Sequence, residues 1–289
     1  LISVTADSAV RPATVRANGL RFAVLEAGSG PLALCLHGFP DCAHTWRLLL
    51  PELARAGFHA VAPFTRGYAP TEIPGDAAYS VSDLAADANA LHDVLRGDSS
   101  AVLVGHDWGA ETVYAAAASE PDRWRRLVTL AVPPAGMDDT LLGDYEQLKR
   151  FFYLFLLQDQ SGLAREVAAR DGMAFLDLLW RDWSPGFEAA GHLARVKESL
   201  RDPAHLNAAI AYYRATELGG EAAAAAPPPQ PTLFLHGARD GCIGADLVQN
   251  ATDFLAPGSS MVAVPDAGHF LHLEKPAEVN AQILGWLRT

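Results

Sequence analysis

The chain has 289 residues, of which 50% are hydrophobic and 19% charged; this excludes a disordered or collagen-like chain and supplies apolar residues for a sizeable core. Basic residues number 22 against 34 acidic ones, a net charge of −12, and that sign repels phosphate backbones and excludes nucleic acid as a partner. The longest apolar run, residues 151–157, falls far short of the ~20 residues of a membrane-spanning helix, and no Lys/Arg run offers a membrane anchor.

Residues 1–10 carry neither a basic start nor a long apolar segment, so no signal peptide is expected and a cytoplasmic enzyme is the default. The first buried strand is read at Leu32–Leu36, running into His37-Gly38-Phe39-Pro40. A second follows at 60–64. Leu84, Ala88, Leu91 and Leu95 then line one helical face. A third strand, 101–104, ends in Gly105, and a fourth, 127–132, stops at Pro133-Pro134. Further strands are read at 232–235 and 261–264, before a helix with Val279, Ile283, Trp286 and Leu287 on one face. Continuously apolar strands alternating with helices predict a mostly parallel, doubly wound α/β sheet.

The alternation stops after Pro134. Residues 134–226 read as a helical cap inserted between two parts of one core, 1–133 and 227–289, with the 222–226 alanine run and Pro227-Pro228-Pro229 leading back to the sheet. The three cysteines, Cys35, Cys42 and Cys242, are too few and too scattered for a disulfide framework or a zinc site.

Gly105-His106-Asp107-Trp108-Gly109 stands between a strand and a helix, the context of a nucleophile elbow, Gly-x-nucleophile-x-Gly. The glycines are needed because side chains two positions either side would strike neighbouring backbone. The central residue is Asp107. A carboxylate attacking an acyl group gives only a labile anhydride; displacing a leaving group from an sp³ carbon gives an alkyl ester. Hydrolysing that ester needs a general base and an oxyanion hole.

His269, in a loop after the last strand, is the candidate base, and Asp240, just beyond the preceding strand, its orienting acid; nucleophile, acid and histidine then follow the hydrolase order. His272 is the rival base, and Asp266, Asp138 and Asp139 the rival acids. His59, His92, His192 and His205 are read as surface or packing residues. His106 and His236 are expected in structural hydrogen bonds, and His37 in support of its loop. The backbone N–H groups of Phe39 and Trp108 are the expected oxyanion hole.

Together, His37-Gly38-Phe39-Pro40, Arg66-Gly67-Tyr68, Gly105-His106-Asp107-Trp108-Gly109, Asp240 and Gly268-His269 resemble the epoxide hydrolases of the α/β-hydrolase fold. Residues 63–67 lack the acidic residue often found before that arginine in the family. The resemblance implies two cap tyrosines that hold and protonate the epoxide oxygen. Tyr153, five residues before Gln158, and Tyr213, followed by Arg214, match them, with Tyr145 and Tyr212 as substitutes. Apolar Phe39, Trp108, Phe151, Phe155, Leu179 and Trp183 suggest a small hydrophobic epoxide, which with water completes the reactants. Neither a metal nor an organic cofactor is implied, and a homodimer is left open.

Haloalkane dehalogenases share the Asp nucleophile. Trp108 suits halide binding, but the family's second donor is often Asn where this chain has Phe39, and Trp180 or Trp183 would have to replace it. A haloacid dehalogenase would want Arg at position 108. A ligand-binding module that kept the fold without turnover is the remaining alternative.

Overall fold

The computed structural model describes residues 9–216 and 227–288. Eight strands form one sheet: β1 (Arg11–Ala17), β2 (Leu20–Ala27), β3 (Leu32–Leu36), β4 (His59–Pro63), β5 (Val102–His106), β6 (Arg126–Leu130), β7 (Thr232–Gly237) and β8 (Ser260–Val264). Their spatial order is β1-β2-β4-β3-β5-β6-β7-β8. The β1–β2 and β2–β4 pairs are antiparallel and all others parallel.

The six parallel strands coincide with the apolar runs of the sequence. Their residues alternate between two apolar layers, as a period-2 strand requires. Leu32, Leu34 and Leu36 face a layer containing Ala85, Leu91 and Val113, from helices α2 (Val81–Val94) and α3 (Trp108–Ser119). Ala33 and Cys35 face the opposite layer, with Leu50, Leu53, Val279 and Ile283. These come from α1 (Leu50–Arg55) and, after the short α10 (Leu271–Glu274), from α11 (Pro276–Arg288).

The β1–β2 hairpin was not anticipated from the apolar pattern. Strand β1 is largely exposed, so it carries no continuous apolar run. Its signal is Asn18-Gly19, the two-residue turn joining Ala17 to Leu20. Both residues have positive φ, 45° and 77°, the conformation a tight hairpin turn demands and Asn-Gly tolerates.

Between β6 and β7 the described residues hold helices only: α4 (Asp138–Gly143), α5 (Tyr145–Arg150), α6 (Phe152–Leu157), α7 (Leu163–Trp183, interrupted by non-helical backbone at residues 170–173), α8 (Ala190–Ser199) and α9 (Pro203–Arg214). Their apolar residues, among them Leu176, Leu179, Leu206 and Ile210, join the second layer. The alanine run lies outside the described residues. No described helix is long and apolar enough to cross a membrane.

Because β3 to β8 run parallel, the loops at their C-terminal ends gather along one edge of the sheet. A buried ion pair fixes the loop after β4. Arg66 donates through Nε (2.6 Å) and Nη2 (2.7 Å) to the two carboxylate oxygens of Asp87 on α2. Asp87 Oδ1 also accepts from the hairpin-turn Asn18 Nδ2 at 2.8 Å. Removing one partner of such a pair strands a buried charge, at a cost of about 3–5 kcal/mol. Asp87→Ala is therefore expected to lower the thermal midpoint by roughly 10 °C. Arg66→Met/Asp87→Leu should recover much of that loss, and a single variant melting like the parent would contradict the assignment.

Candidate active site

Asp107 closes β5 and immediately precedes α3. Its backbone, φ 54° and ψ −123°, is strained for a residue with a side chain. The flanking glycines make the turn sterically feasible: a Cβ on Gly105 would stand 2.2 Å from the Gly109 carbonyl oxygen, and one on Gly109 2.1 Å from that of Leu36. A third close approach occurs at Gly38, where a Cβ would lie 2.2 Å from Asp107 Oδ1. The missing side chain lets the β3 loop reach the carboxylate, and Phe39 N–H donates to Oδ1 at 2.7 Å. Trp108 is the first residue of α3, so its N–H is among the donors a helix leaves unpaired at its start.

On the other side of the carboxylate stands His269, with Nε2 3.6 Å from Asp107 Oδ2 and Nδ1 3.0 Å from Asp240 Oδ2. The other oxygen of Asp240 accepts from the backbone N–H groups of Cys242 (2.7 Å) and Ile243 (2.9 Å). Both His269 and Asp240 are buried. Burial disfavours the imidazolium, but the carboxylates of Asp240 and Asp107 outweigh it and raise the His269 pKa to about 10. Burial likewise opposes the Asp240 charge, yet His269 holds its carboxyl below the usual range.

The end of α7 braces both loops, a role the sequence pattern does not flag for Trp180 and Trp183, which it offers as ligand contacts, nor for Ser184. The Trp183 carbonyl accepts from the N–H groups of Gly241 and His269, each at 3.0 Å. Ser184 Oγ accepts from Phe270 N–H (3.0 Å) and donates to Glu274 (2.6 Å), whose carboxylate also takes the Gly268 N–H. Trp180 stacks on Phe270, ring centroids 3.4 Å apart.

Above Asp107 opens a cavity of about 220 Å³, lined by Asp107, Trp108, Phe151, Tyr153 and Tyr213 among others. The Tyr213 ring meets Phe39 and Trp108 edge-on, and Tyr153 lies beside Tyr213, centroids 6.0 Å apart. Tyr153 OH is 3.3 Å from Cys242 Sγ, whereas the buried Tyr213 OH has no hydrogen-bond partner among the described residues. Burial pushes both phenols well above their ordinary value, and the nearby Asp107 charge adds to this. Both are therefore protonated donors at neutral pH.

The structure brings Asp107, His269, Asp240, Tyr153, Tyr213 and the Phe39 amide together. It corrects other expectations. Phe155 is 53% exposed and Leu179 is packed in the core; neither lines the cavity. Phe39 and Trp183 are also absent from its wall: Phe39 contributes its amide, and Trp183 packs behind Tyr153 and His269. His192 is not merely packing, since its Nε2 bonds Asp41 Oδ1 at 2.7 Å. Tyr145 is exposed, and Tyr212 donates to the Arg66 carbonyl at 2.7 Å.

Among the rivals, Asp266 is exposed and paired with Arg239, and His272 is engaged with Thr45. His106 and His236 bond the carbonyls of His269 and Ile243, at 3.0 and 3.1 Å. His37 bonds the Gly38 carbonyl and Thr65 N–H. The wall also holds residues not expected as ligand contacts, among them the acidic Glu111 and Asp138. Glu111 lies in the first turn of α3, four residues after Asp107, and lines the cavity with it.

The description "alpha/beta hydrolase fold" belongs to the family whose model matches residues 31–276. A protein of Caballeronia sordidicola named "Epoxide hydrolase" is 30% identical, over 97% of this chain and 94% of its own. "Epoxide hydrolase A" of Mycobacterium tuberculosis (strain ATCC 25618 / H37Rv) is 29% identical, over 94% and 96% respectively. A crystal structure of the Bacillus megaterium epoxide hydrolase with an inhibitor superposes with a TM-score of 0.84 at 26% identity, covering 96% of this chain and 100% of that one.

Two carboxylates holding one buried imidazolium have a measurable consequence. In nitrogen-resolved NMR of the histidines, His269 should keep its proton well above the ~6.5 of a free imidazole. Asp107→Asn should bring its midpoint down by about 1–3 pH units. Titration near 6.5 in both proteins would contradict the charge arrangement.

Proposed function

Because the chain belongs to the α/β-hydrolase fold family, we propose that it opens epoxides with water to vicinal diols through an alkyl ester on Asp107. The observation that carries the reading is the shared cavity: the Asp107 carboxylate and two protonated phenols face one space, with His269 3.6 Å from Asp107. Residues 134–226 act as the cap that supplies the phenols.

Asp107 attacks one epoxide carbon and the C–O bond breaks. Tyr153 and Tyr213 donate to the oxygen, and one phenol proton passes to the nascent alkoxide. The esterified Asp107 no longer carries charge, so one of the two carboxylates that hold the proton on His269 is lost. The imidazolium gives up its proton, which restores the phenol. Neutral His269 then takes a proton from water, whose oxygen attacks the ester carbon. The N–H groups of Phe39 and Trp108 stabilise the oxyanion at Oδ1, and Asp240 keeps the imidazole in its productive tautomer. Collapse releases the diol with the His269 proton, and the new carboxylic acid returns its own proton to the imidazole. Overall, one epoxide and one water give one diol.

The dehalogenase alternative fares less well. It needs a second N–H donor facing the leaving group beside Trp108. Trp180 Nε1 already donates to the Pro40 carbonyl at 2.8 Å, and neither Trp180 nor Trp183 lines the cavity.

Rapid-quench mass spectrometry tests the sequence of steps. His269→Gln should accumulate an adduct of epoxide mass on Asp107, and Asp107→Ala should form none and turn nothing over. Tyr153→Phe and Tyr213→Phe should each slow alkylation by about 100-fold. Unchanged alkylation in both tyrosine variants would remove the epoxide-specific assignment, and halide release without diol formation would favour the dehalogenase.

A further inference from the structure

The cavity over Asp107 has an unusual balance of groups for a site that takes an apolar molecule. Besides the nucleophile it presents two more carboxyl side chains, Glu111 and Asp138. No Lys, Arg or His lines it among the described residues; its other side chains with polar groups are Gln158, Thr216, the two tyrosines and Trp108. No ion pair or hydrogen bond engages the Glu111 carboxyl among the described residues. Burial first, then Asp138 and Asp107, push its pKa up to about 7. Three carboxyl groups thus share one partly enclosed space, and the cation beside them, His269, is held against Asp107, which leaves Glu111 and Asp138 as the acidic groups turned to a ligand.

The rest of the wall answers to the same ligand chemistry. Trp108, Phe151, Tyr153 and Tyr213 present aromatic rings to the cavity. Ring faces attract cations, and groups of rings recognise quaternary ammonium groups in particular. Acidic groups set among aromatic rings favour an ammonium over an uncharged alkyl group and repel a carboxylate. At about 220 Å³ the cavity is smaller than the 300–1,000 Å³ of drug-sized sites, so the ligand is compact. The chain's net charge of −12 raises the local concentration of cations in the same direction.

We propose that this site selects small epoxides bearing a cationic ammonium group, with Glu111 and Asp138 as its counter-charges and the aromatic walls as its cradle. The proposal rests on the epoxide reading above for its reaction and on the cavity alone for its ligand class. Glu111 is a specificity residue here. Glu111 lies in the first turn of α3 and lines the same compact cavity as Asp107, so one small epoxide and its substituent can meet both.

A matched pair separates charge from shape: glycidyltrimethylammonium and the epoxide in which a tert-butyl group replaces the trimethylammonium. Their two diol products serve as non-reacting ligands for calorimetry. The wild-type protein should bind the cationic diol at least about tenfold more tightly than its carbon counterpart, and kcat/KM should favour the cationic epoxide by a similar factor. Glu111→Gln should collapse both ratios toward one. Asp138→Asn provides the same test on a second element should the first variant fold poorly, with circular dichroism checking both. Equal binding of the two diols, or ratios untouched in both folded variants, would overturn the proposal. Selective binding of the cationic diol without turnover of either epoxide would sustain the ligand class and remove the epoxide reading instead.

Discussion

One buried imidazole held between two carboxylates is the interaction on which the rest of the site depends. His269 lies 3.0 Å from Asp240 and 3.6 Å from Asp107, where water offers little of its usual screening. In such a place a lone charge would be costly, and the imidazolium persists because both neighbours are negative. The two neighbours are not equivalent. Asp240 is fixed by the backbone N–H groups of its own loop and keeps its charge. Asp107 is the group that would lose its charge on alkylation. In the proposed cycle the residue that attacks therefore also sets when the histidine becomes a base, and the two halves of that cycle are ordered by charge without any large movement.

Much of the fold serves to hold this arrangement. The strained Asp107 backbone is enforced by close approaches that only glycine allows at positions 105 and 109. Gly38 lets the β3 loop deliver an N–H to the Asp107 carboxylate. The end of α7 then reaches down from the helical segment, its Trp183 carbonyl tying the acid loop and the histidine loop to one point. The helices between β6 and β7 consequently do two things: they wall the cavity with Phe151, Tyr153 and Tyr213, and they brace the residues beneath it.

The parallel strands and the nucleophile turn were legible because their signals are local: five-residue apolar runs, and glycines at fixed offsets around Asp107. Asp240 and His269 were legible from their places after successive strands. The β1–β2 hairpin was missed because its first strand is solvent-facing and its only strong mark is Asn18-Gly19. The misassigned cavity residues share another cause. Phe155 and Leu179 are apolar and helical, but helical periodicity does not say whether a face meets solvent, core or cavity, and these meet the first two. Glu111 escaped notice for the opposite reason. An acidic residue in the first turn of a helix reads as ordinary dipole stabilisation, and only the packing of the helices between β6 and β7 over that turn makes it part of a cavity wall.

The central claim is that a protein carboxylate, not a water molecule, attacks carbon. It is tested most directly by a single turnover in water enriched in heavy oxygen, with enzyme in excess over epoxide. The account predicts a diol free of the label and a peptide containing Asp107 that has gained one heavy oxygen, because solvent enters only when the ester is hydrolysed. Label in the first-turnover diol with none in that peptide would mean direct attack by water and would contradict the account.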